Sequence, residues 1–273
     1  MEEKLLALLE KIENAEEWEN PMLLAHSQNI FTKKEYRGFN RFTLSGGQFA
    51  TFNQIRKHGG KVKKGSKAQS IFFYTMLKKK ELDAKGKEQF FPMLKTFNVF
   101  NINDTEGLDD YKVDNVRPDP LTNEELEKVK VTYLKQLGDF TTEVGRAYYS
   151  PATDKVNVPE ISMFKSDASH YATLFHELTH STGASERLGR AGVAEADGFG
   201  SEKYSREELI AELGAMLCLE NTTSAEESAK NSLSYLKSWM RELKDKPKEI
   251  ITAFSRAEKA RDFIFNIPAP CTQ

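Results

Sequence analysis

Cysteine is almost missing from the chain: Cys218 and Cys271 are the only two among 273 residues. Two thiols make no disulfide framework, so a reducing cytoplasm is the expected setting. Cys218 falls in an apolar helical run and reads as core, Cys271 as part of a loose tail. No apolar run approaches the ~18 residues of a membrane span, and no membrane partner is expected. The opening MEEKLLALLEKIENAEEW is an acidic amphipathic helix without the basic start and apolar middle of a secretion signal. Internal repeats and low-complexity segments are also lacking. What remains, 39% hydrophobic and 29% charged residues, is the composition of a globular protein with room for one large or two ordinary domains.

The formal charge of −2 hides an asymmetry. Residues 1–100 hold 18 Lys and Arg against 11 Asp and Glu; residues 101–273 hold 21 against 30. Over 31–100 the excess sharpens to 16 against 4, with thirteen aromatic residues interleaved. Rings beside cations suit a single-stranded nucleic acid, whose bases stack while Lys and Arg hold the phosphates. Alternate side chains of a strand such as Ile71-Phe72-Phe73-Tyr74 face opposite ways, so about half of those rings belong to a core.

The second half contains His176-Glu177-Leu178-Thr179-His180. On a helix, two histidines four apart stand one turn above each other and can close on one divalent ion. Glu177 then points beside the ion, where a base takes a proton from water. Ser166 and Asp167 offer capping oxygens, Tyr171, Leu174, Phe175 and Leu178 form a buried stripe, and Gly183 stops the helix. The ion is expected to be Zn²⁺.

A catalytic zinc takes a third protein ligand, and Glu186, Glu207, Glu208 and Glu212 are candidates. Glu208 and Glu212 share one face of a following helix, so Glu208 is the expected ligand and Glu212 the carboxylate that orients a histidine. Glu186 completes H-E-x-x-H-x-x-G-x-x-E and is the alternative ligand. Glu207 points about 100° away on the helix and is expected in solvent. His170 reads as structural, His26 and His58 as surface residues. Tyr148, Tyr149 and Tyr204 are candidates to hydrogen-bond an oxyanion.

In order, the chain reads as a helix over 1–19, ended by Trp18 and Pro21, then short strands and turns with a helix over 49–57. Lys61-Val62-Lys63-Lys64-Gly65-Ser66-Lys67 is a basic turn leading into a strand over 70–74. A polar tip over 83–88 leads to a strand over 97–102. Residues 103–120 read as a linker. A helix follows over 122–137, capped by Thr122 with Glu125 in a capping box. Strands over 140–142, 147–149 and 155–158 precede the metal helix, and one edge strand there can pair with an extended peptide. Helices over 204–219, 225–244 and 247–265 follow. The expectation is an α+β protein with an N-terminal antiparallel sheet domain bearing one or two helices (1–110). Its C-terminal domain (121–273) is mostly helical with a small sheet.

Several stretches resemble ArdC-type antirestriction proteins. In the first half they are Tyr36-Arg37-Gly38-Phe39-Asn40, Thr51-Phe52-Asn53-Gln54, Gly59-Gly60-Lys61-Val62-Lys63-Lys64-Gly65 and Val99-Phe100-Asn101 with Glu106-Gly107-Leu108. In the second they are Tyr149-Ser150-Pro151 with Asp154, residues 175–183, Arg187-Leu188 and residues 204–212. Trp18 with Pro21-Met22, and Asp104, depart from the family's pattern. The resemblance implies an N-terminal single-stranded-DNA-binding domain and a zincin-like metallopeptidase domain, guarding incoming mobile DNA from restriction. Tyr36, Arg37, Asn40, Phe52, Lys61, Lys63, Lys64, Lys67, Phe72 and Tyr74 become the candidate DNA contacts, and an unidentified protein or peptide the substrate. Two other functions fit: a DNA-coating protein whose zinc domain is structural or degenerate, and a DNA-triggered regulatory protease that cuts a repressor.

Overall fold

The computed structural model describes residues 27–44, 46–82, 88–112, 119–194, 202–225, 227–228, 237–238, 241–243 and 245–267. The helix expected over 1–19, His26, Cys271 and most of the helix expected over 225–244 lie outside these residues. The protein is α+β, and its chain gathers into two compact units that part between Lys112 and Asp119.

Unit one is built on a four-stranded sheet, ordered β1 (Ser27–Asn29), β2 (Gly47–Thr51), β5 (Glu88–Asn101) and β4 (Gln69–Leu82). It is antiparallel except for the edge strand β1, which runs parallel to β2. β4 and β5 form a long hairpin, in register from Gln69 opposite Val99 to Lys78 opposite Phe90, with a register shift before Leu82 pairs with Glu88. The helix expected over 49–57 is strand as far as Thr51, and helix α2 (Phe52–Lys57) begins only there. Thr51 starts it: its hydroxyl accepts from the Gln54 N–H while Gln54 reaches back to the Thr51 N–H, so two orphan donors are satisfied.

A shorter helix, α1 (Asn40–Thr43), lies beside β4. Asn40 donates to the Phe72 carbonyl at 2.9 Å and accepts from the Phe72 N–H at 2.7 Å. One side-chain amide thereby occupies part of the outer edge of β4.

The expected linker over 103–120 begins too early. Ile102, Thr105 and Leu108 are buried, and β6 (Thr105–Glu106) pairs with β3 (Lys61–Val62). Leu108 presses so closely on Gly60 that a Cβ there would meet its Cγ at 2.5 Å. The hydrophobic side chains in an otherwise polar stretch tie it back to the sheet.

Unit two places a three-stranded sheet, ordered β7 (Asp139–Thr141), β9 (Lys155–Asn157) and β8 (Tyr148–Ser150), with helices α3 (Asn123–Leu134), α4 (Asp167–Ser181), α6 (Glu202–Leu219) and α7 (Pro247–Ile264). The short α5 (Ala191–Ala194) lies between α4 and α6 in sequence. Thr122 and Glu125 cap α3 reciprocally. Ser166 caps α4, and Tyr171, Leu174, Phe175 and Leu178 point into the core with Val156, Val158, Ala215, Cys218 and Leu219. Helix α6 can approach α4 closely because residue 214 is glycine: a Cβ there would stand 2.5 Å from Thr179. Gly183 acts in the same way rather than as a left-handed cap. Helix α4 ends at Ser181, and a Cβ on Gly183 would meet Val193 at 2.5 Å and the Arg190 guanidinium at 2.9 Å.

Candidate functional site

Two turns of α4 and one face of α6 converge on a small gap in unit two. His176 and His180 are four apart on α4, and their Nε2 atoms face each other at 3.1 Å. Glu208, from α6, sets one carboxylate oxygen 3.5 Å from the first nitrogen and the other 3.6 Å from the second. Among the described residues these three form the group of ligating side chains able to hold a metal ion, their ligand atoms within 4.8 Å of one another.

The donor set fits a tetrahedral cation. Metal–ligand bonds of about 2.0–2.1 Å put ligand atoms roughly 3.3–3.4 Å apart. The two Nε2 atoms are near that separation, and each has a different Glu208 oxygen near it. The outer ring nitrogens support the same assignment. His176 Nδ1 lies 3.4 Å from Glu212, and His180 Nδ1 lies 3.4 Å from Glu207. With Nδ1 protons committed to carboxylates, two Nε2 lone pairs point at each other, which is repulsive unless a cation or proton stands between them. Burial opposes charge on His176, but Glu208 and Glu212 outweigh it and push its pKa up to about 10. A proton there does in part what a metal would do.

Glu207 corrects the expectation that it is solvated. It is buried, and Arg190 grips it from Nε at 3.0 and 3.1 Å and from Nη2 at 2.6 Å. Arg190 is itself buried and also donates to the Thr182 hydroxyl and the Thr179 carbonyl, both at 2.7 Å. Burial works to raise the Glu207 pKa, yet His180 and Arg190 hold it below the usual carboxylate range. The sequence signal was weak: Arg190 sits in a loop seventeen residues away, and no helical period links it to Glu207.

Glu177 is buried on the same turn. Desolvation raises its pKa, Glu208 adds to this, and the two histidines and the main-chain N–H of Tyr149 oppose it. Tyr149 lies on β8, an edge strand, so β8 is held against the metal helix. Its ring is engaged elsewhere: the hydroxyl donates to Asp154 at 3.0 Å and accepts from Arg187 at 3.3 Å. Arg187 pairs with Asp154 and donates to the carbonyls of Ser181 at 2.7 Å and Gln136 at 2.9 Å. That cluster ties the β8–β9 turn to the end of α4. Tyr204 is the tyrosine at the gap: it hydrogen-bonds Glu208, and burial and that carboxylate push its pKa up to about 12. Tyr148 is half-buried on β8.

Glu186 stands apart from this group, which removes it as an alternative ligand. It is exposed, and its carboxylate takes the Ser185 hydroxyl at 2.7 Å. His170 is buried edge-on between Phe164 and Tyr171.

In unit one the candidate DNA contacts separate. Arg37 is half-buried; Lys61, Lys63, Lys64 and Lys67 are exposed, Lys63 spending a proton on the Asn103 carbonyl at 2.8 Å. Phe52 is exposed beside Phe100, and Tyr36 is half-buried against Phe49. Two assignments are corrected. Phe72 is buried edge-on against Phe39, and Asn40 is consumed by the backbone of β4. Alternation of strand residues had to place either Phe72 or Phe73 inside, and nothing in the sequence decides which. The Tyr74 side chain lies outside the described part of the structure. His58 is exposed, stacked on Phe31 with ring centroids 3.9 Å apart and hydrogen-bonded to the Tyr111 hydroxyl at 3.3 Å.

Residues 129–256 match the family described as zincin-like metallopeptidase, and residues 1–100 match the N-terminal domain of the anti-restriction factor ArdC. The metal-free crystal structure of the antirestriction protein ArdC from plasmid R388 is similar across both units. It is 30% identical, with a TM-score of 0.66, over 97% of this chain and 96% of that one. The chain belongs to the ArdC antirestriction family. The Mn(II)-bound structure of the same R388 protein gives a TM-score of 0.71 at 28% identity, over 100% and 99% of the two chains. Two further proteins are similar to most of this chain. A DNA primase TraC of Escherichia coli is 31% identical over 258 residues, 86% of this chain but only 17% of the primase. Protein y4eC of Sinorhizobium fredii is 29% identical over 254 residues, 86% of this chain and 80% of y4eC. The chain thus spans about a sixth of the primase's length. No helix among the described residues is long and apolar enough to cross a membrane.

Proposed function

We propose that this ArdC-family protein is a zinc-dependent peptidase that also binds single-stranded DNA, acting in the cytoplasm to shield incoming DNA from restriction. The observation that carries the peptidase reading is the gap in which His176, His180 and Glu208 meet, with buried Glu177 beside it. These three side chains would hold the ion, and Glu212 and Glu207 fix the ring orientations of the two histidines. A bound divalent cation supplies Lewis acidity and lowers the pKa of a water from about 15.7 to about 7.

The remaining work falls to the chain. Glu177 takes the proton of the attacking water and returns it to the leaving amine. Its burial and raised pKa make it a better proton acceptor than a solvated carboxylate. An extended peptide can lie along β8, the sheet edge whose Tyr149 N–H already reaches Glu177. Tyr204, whose hydroxyl donates to Glu208, would reach a developing oxyanion only by exchanging that bond for one to the substrate.

The basic, aromatic composition of unit one supports the DNA reading, with the exposed lysines of the 61–67 turn on the phosphates. The substrate is an unidentified protein or peptide. Glu177→Gln is the test. It should leave zinc content by elemental analysis unchanged while peptide cleavage falls at least about 100-fold. Equal cleavage by the variant would remove Glu177 as the base. If the variant protected DNA from restriction as well as the unaltered protein, a DNA-coating role would gain over the catalytic one.

A further inference from the structure

The β4–β5 hairpin has two faces, and they differ. One carries Phe72, which is 6% exposed and packed on Phe39. The other carries Phe73 and Phe97, 53% and 45% exposed, two of the large hydrophobic side chains left in solvent among the described residues of unit one. The register fixes their relation. Phe97 lies opposite Ile71 and Phe73 lies opposite Lys95, so all four side chains share this face. Phe73 and Phe97 are diagonal neighbours, roughly 7–8 Å apart, each able to take one planar partner. The base of the same face is closed by core: Ile71 and Tyr36 pack on Leu44, Phe49 and Val99.

Two exposed phenylalanines on a sheet call for a partner, and the charge around them says which kind. Toward its tip the hairpin carries Lys78, Lys79 and Lys80 with Glu81 and Glu88, and Lys78 pairs with Glu88. Over 69–77 and 89–101, the stretch that holds Phe73 and Phe97, the charged residue is Lys95. Lys95 is exposed directly beside Phe73. A purely apolar protein partner would gain from the two rings alone, whereas a polyanion with planar apolar groups gains from the rings and from the Lys95 ammonium beside them.

We propose that this face, Phe73 and Phe97 with Lys95 between their strands, is the platform on which successive bases of single-stranded DNA stack. The inference rests on the DNA-binding reading of unit one and specifies it. It moves the stacking rings from Phe72 to the opposite face of the same hairpin. Lys95 neutralises a phosphate, and the rings take bases that are not already paired, so duplex is excluded from this contact.

The test is binding of the full chain to a labelled thymidine oligonucleotide. Each stacked base contributes roughly five-fold or more to affinity, so Phe73→Ala with Phe97→Ala should weaken binding at least about 20-fold. The slope of log affinity against log salt should not change in that variant. Lys95→Ala should reduce the slope by about 0.7, the share of one phosphate on a single strand. Phe73→Trp and Phe97→Trp should keep affinity, and indole fluorescence should be quenched on binding, a readout that a misfolded variant would not give. Unchanged affinity in the double alanine variant overturns the inference alone. A change of oligomeric state with DNA affinity intact would do the same and assign the face to a protein partner. No binding by the unaltered protein would overturn the DNA reading and this inference together.

Discussion

Glu186 lies six residues after the histidine motif and Glu207 twenty-seven, yet it is the more distant one that the fold buries beside it. Glu207 is locked between Arg190 and His180 Nδ1, whereas Glu186 faces solvent. Carboxylates that orient a metal-ligating histidine are worth about 10- to 100-fold in metal affinity. Glu207→Gln should therefore weaken zinc binding by that factor in a chelator competition, and Glu186→Gln should leave it unchanged. Equal losses in the two would deny Glu207 its orienting role. That His176 and His180 share one helix face was legible from their four-residue spacing, and the face shared by Glu208 and Glu212 on a later helix from the same period; that the two faces meet is what the structure adds. The place of Glu207 was not legible, because its burial depends on Arg190 folding back from a loop that has no period.

Helices α4 and α6 carry the candidate metal ligands from two separate stretches of sequence, and their closeness depends on Gly214. In an isolated helix, alanine in place of glycine is favoured by about 1 kcal/mol. Here the added carbon would sit 2.5 Å from Thr179, so the sign should reverse. Gly214→Ala should cost about 1–3 kcal/mol in denaturant unfolding through overpacking, and Thr179→Ala in the same chain should recover part of it. A stabilised single variant would show that the helices have room to spare. The amphipathic stripe of α4 was readable from its apolar spacing, and the caps at Thr122 and Ser166 from their side chains. The closeness of the helices was not, because one glycine in an apolar run carries no mark of what packs against it. The hairpin shows the same limit: two-residue alternation predicts that rings divide between faces without naming the buried one.

At the scale of the whole molecule, the two units differ in what holds them. Unit two has a candidate metal centre across two helices, and unit one is stabilised by sheet and aromatic packing. Removing zinc with a chelator should lower the unfolding temperature of a transition belonging to unit two, since a ligand bound only to the folded state stabilises it by mass action. The affinity for single strands should not move. A parallel loss of DNA binding would mean that the centre supports both activities. The charge asymmetry of the two halves was the sequence's clearest statement about this organisation. The boundary was less legible, because the polar residues after 102 conceal Leu108, which returns to the first core, and the strand at Thr105–Glu106 that pairs with Lys61–Val62.

The amide of Asn40 has one more implication. By filling hydrogen-bonding valences of β4 at Phe72, it makes the hairpin self-terminating at that point. No foreign strand can zip onto the backbone there, neither a neighbouring copy nor a peptide. Whatever docks at that stretch of the hairpin has to be met by side chains, as a guest lying across the ribbon and not as an extension of it.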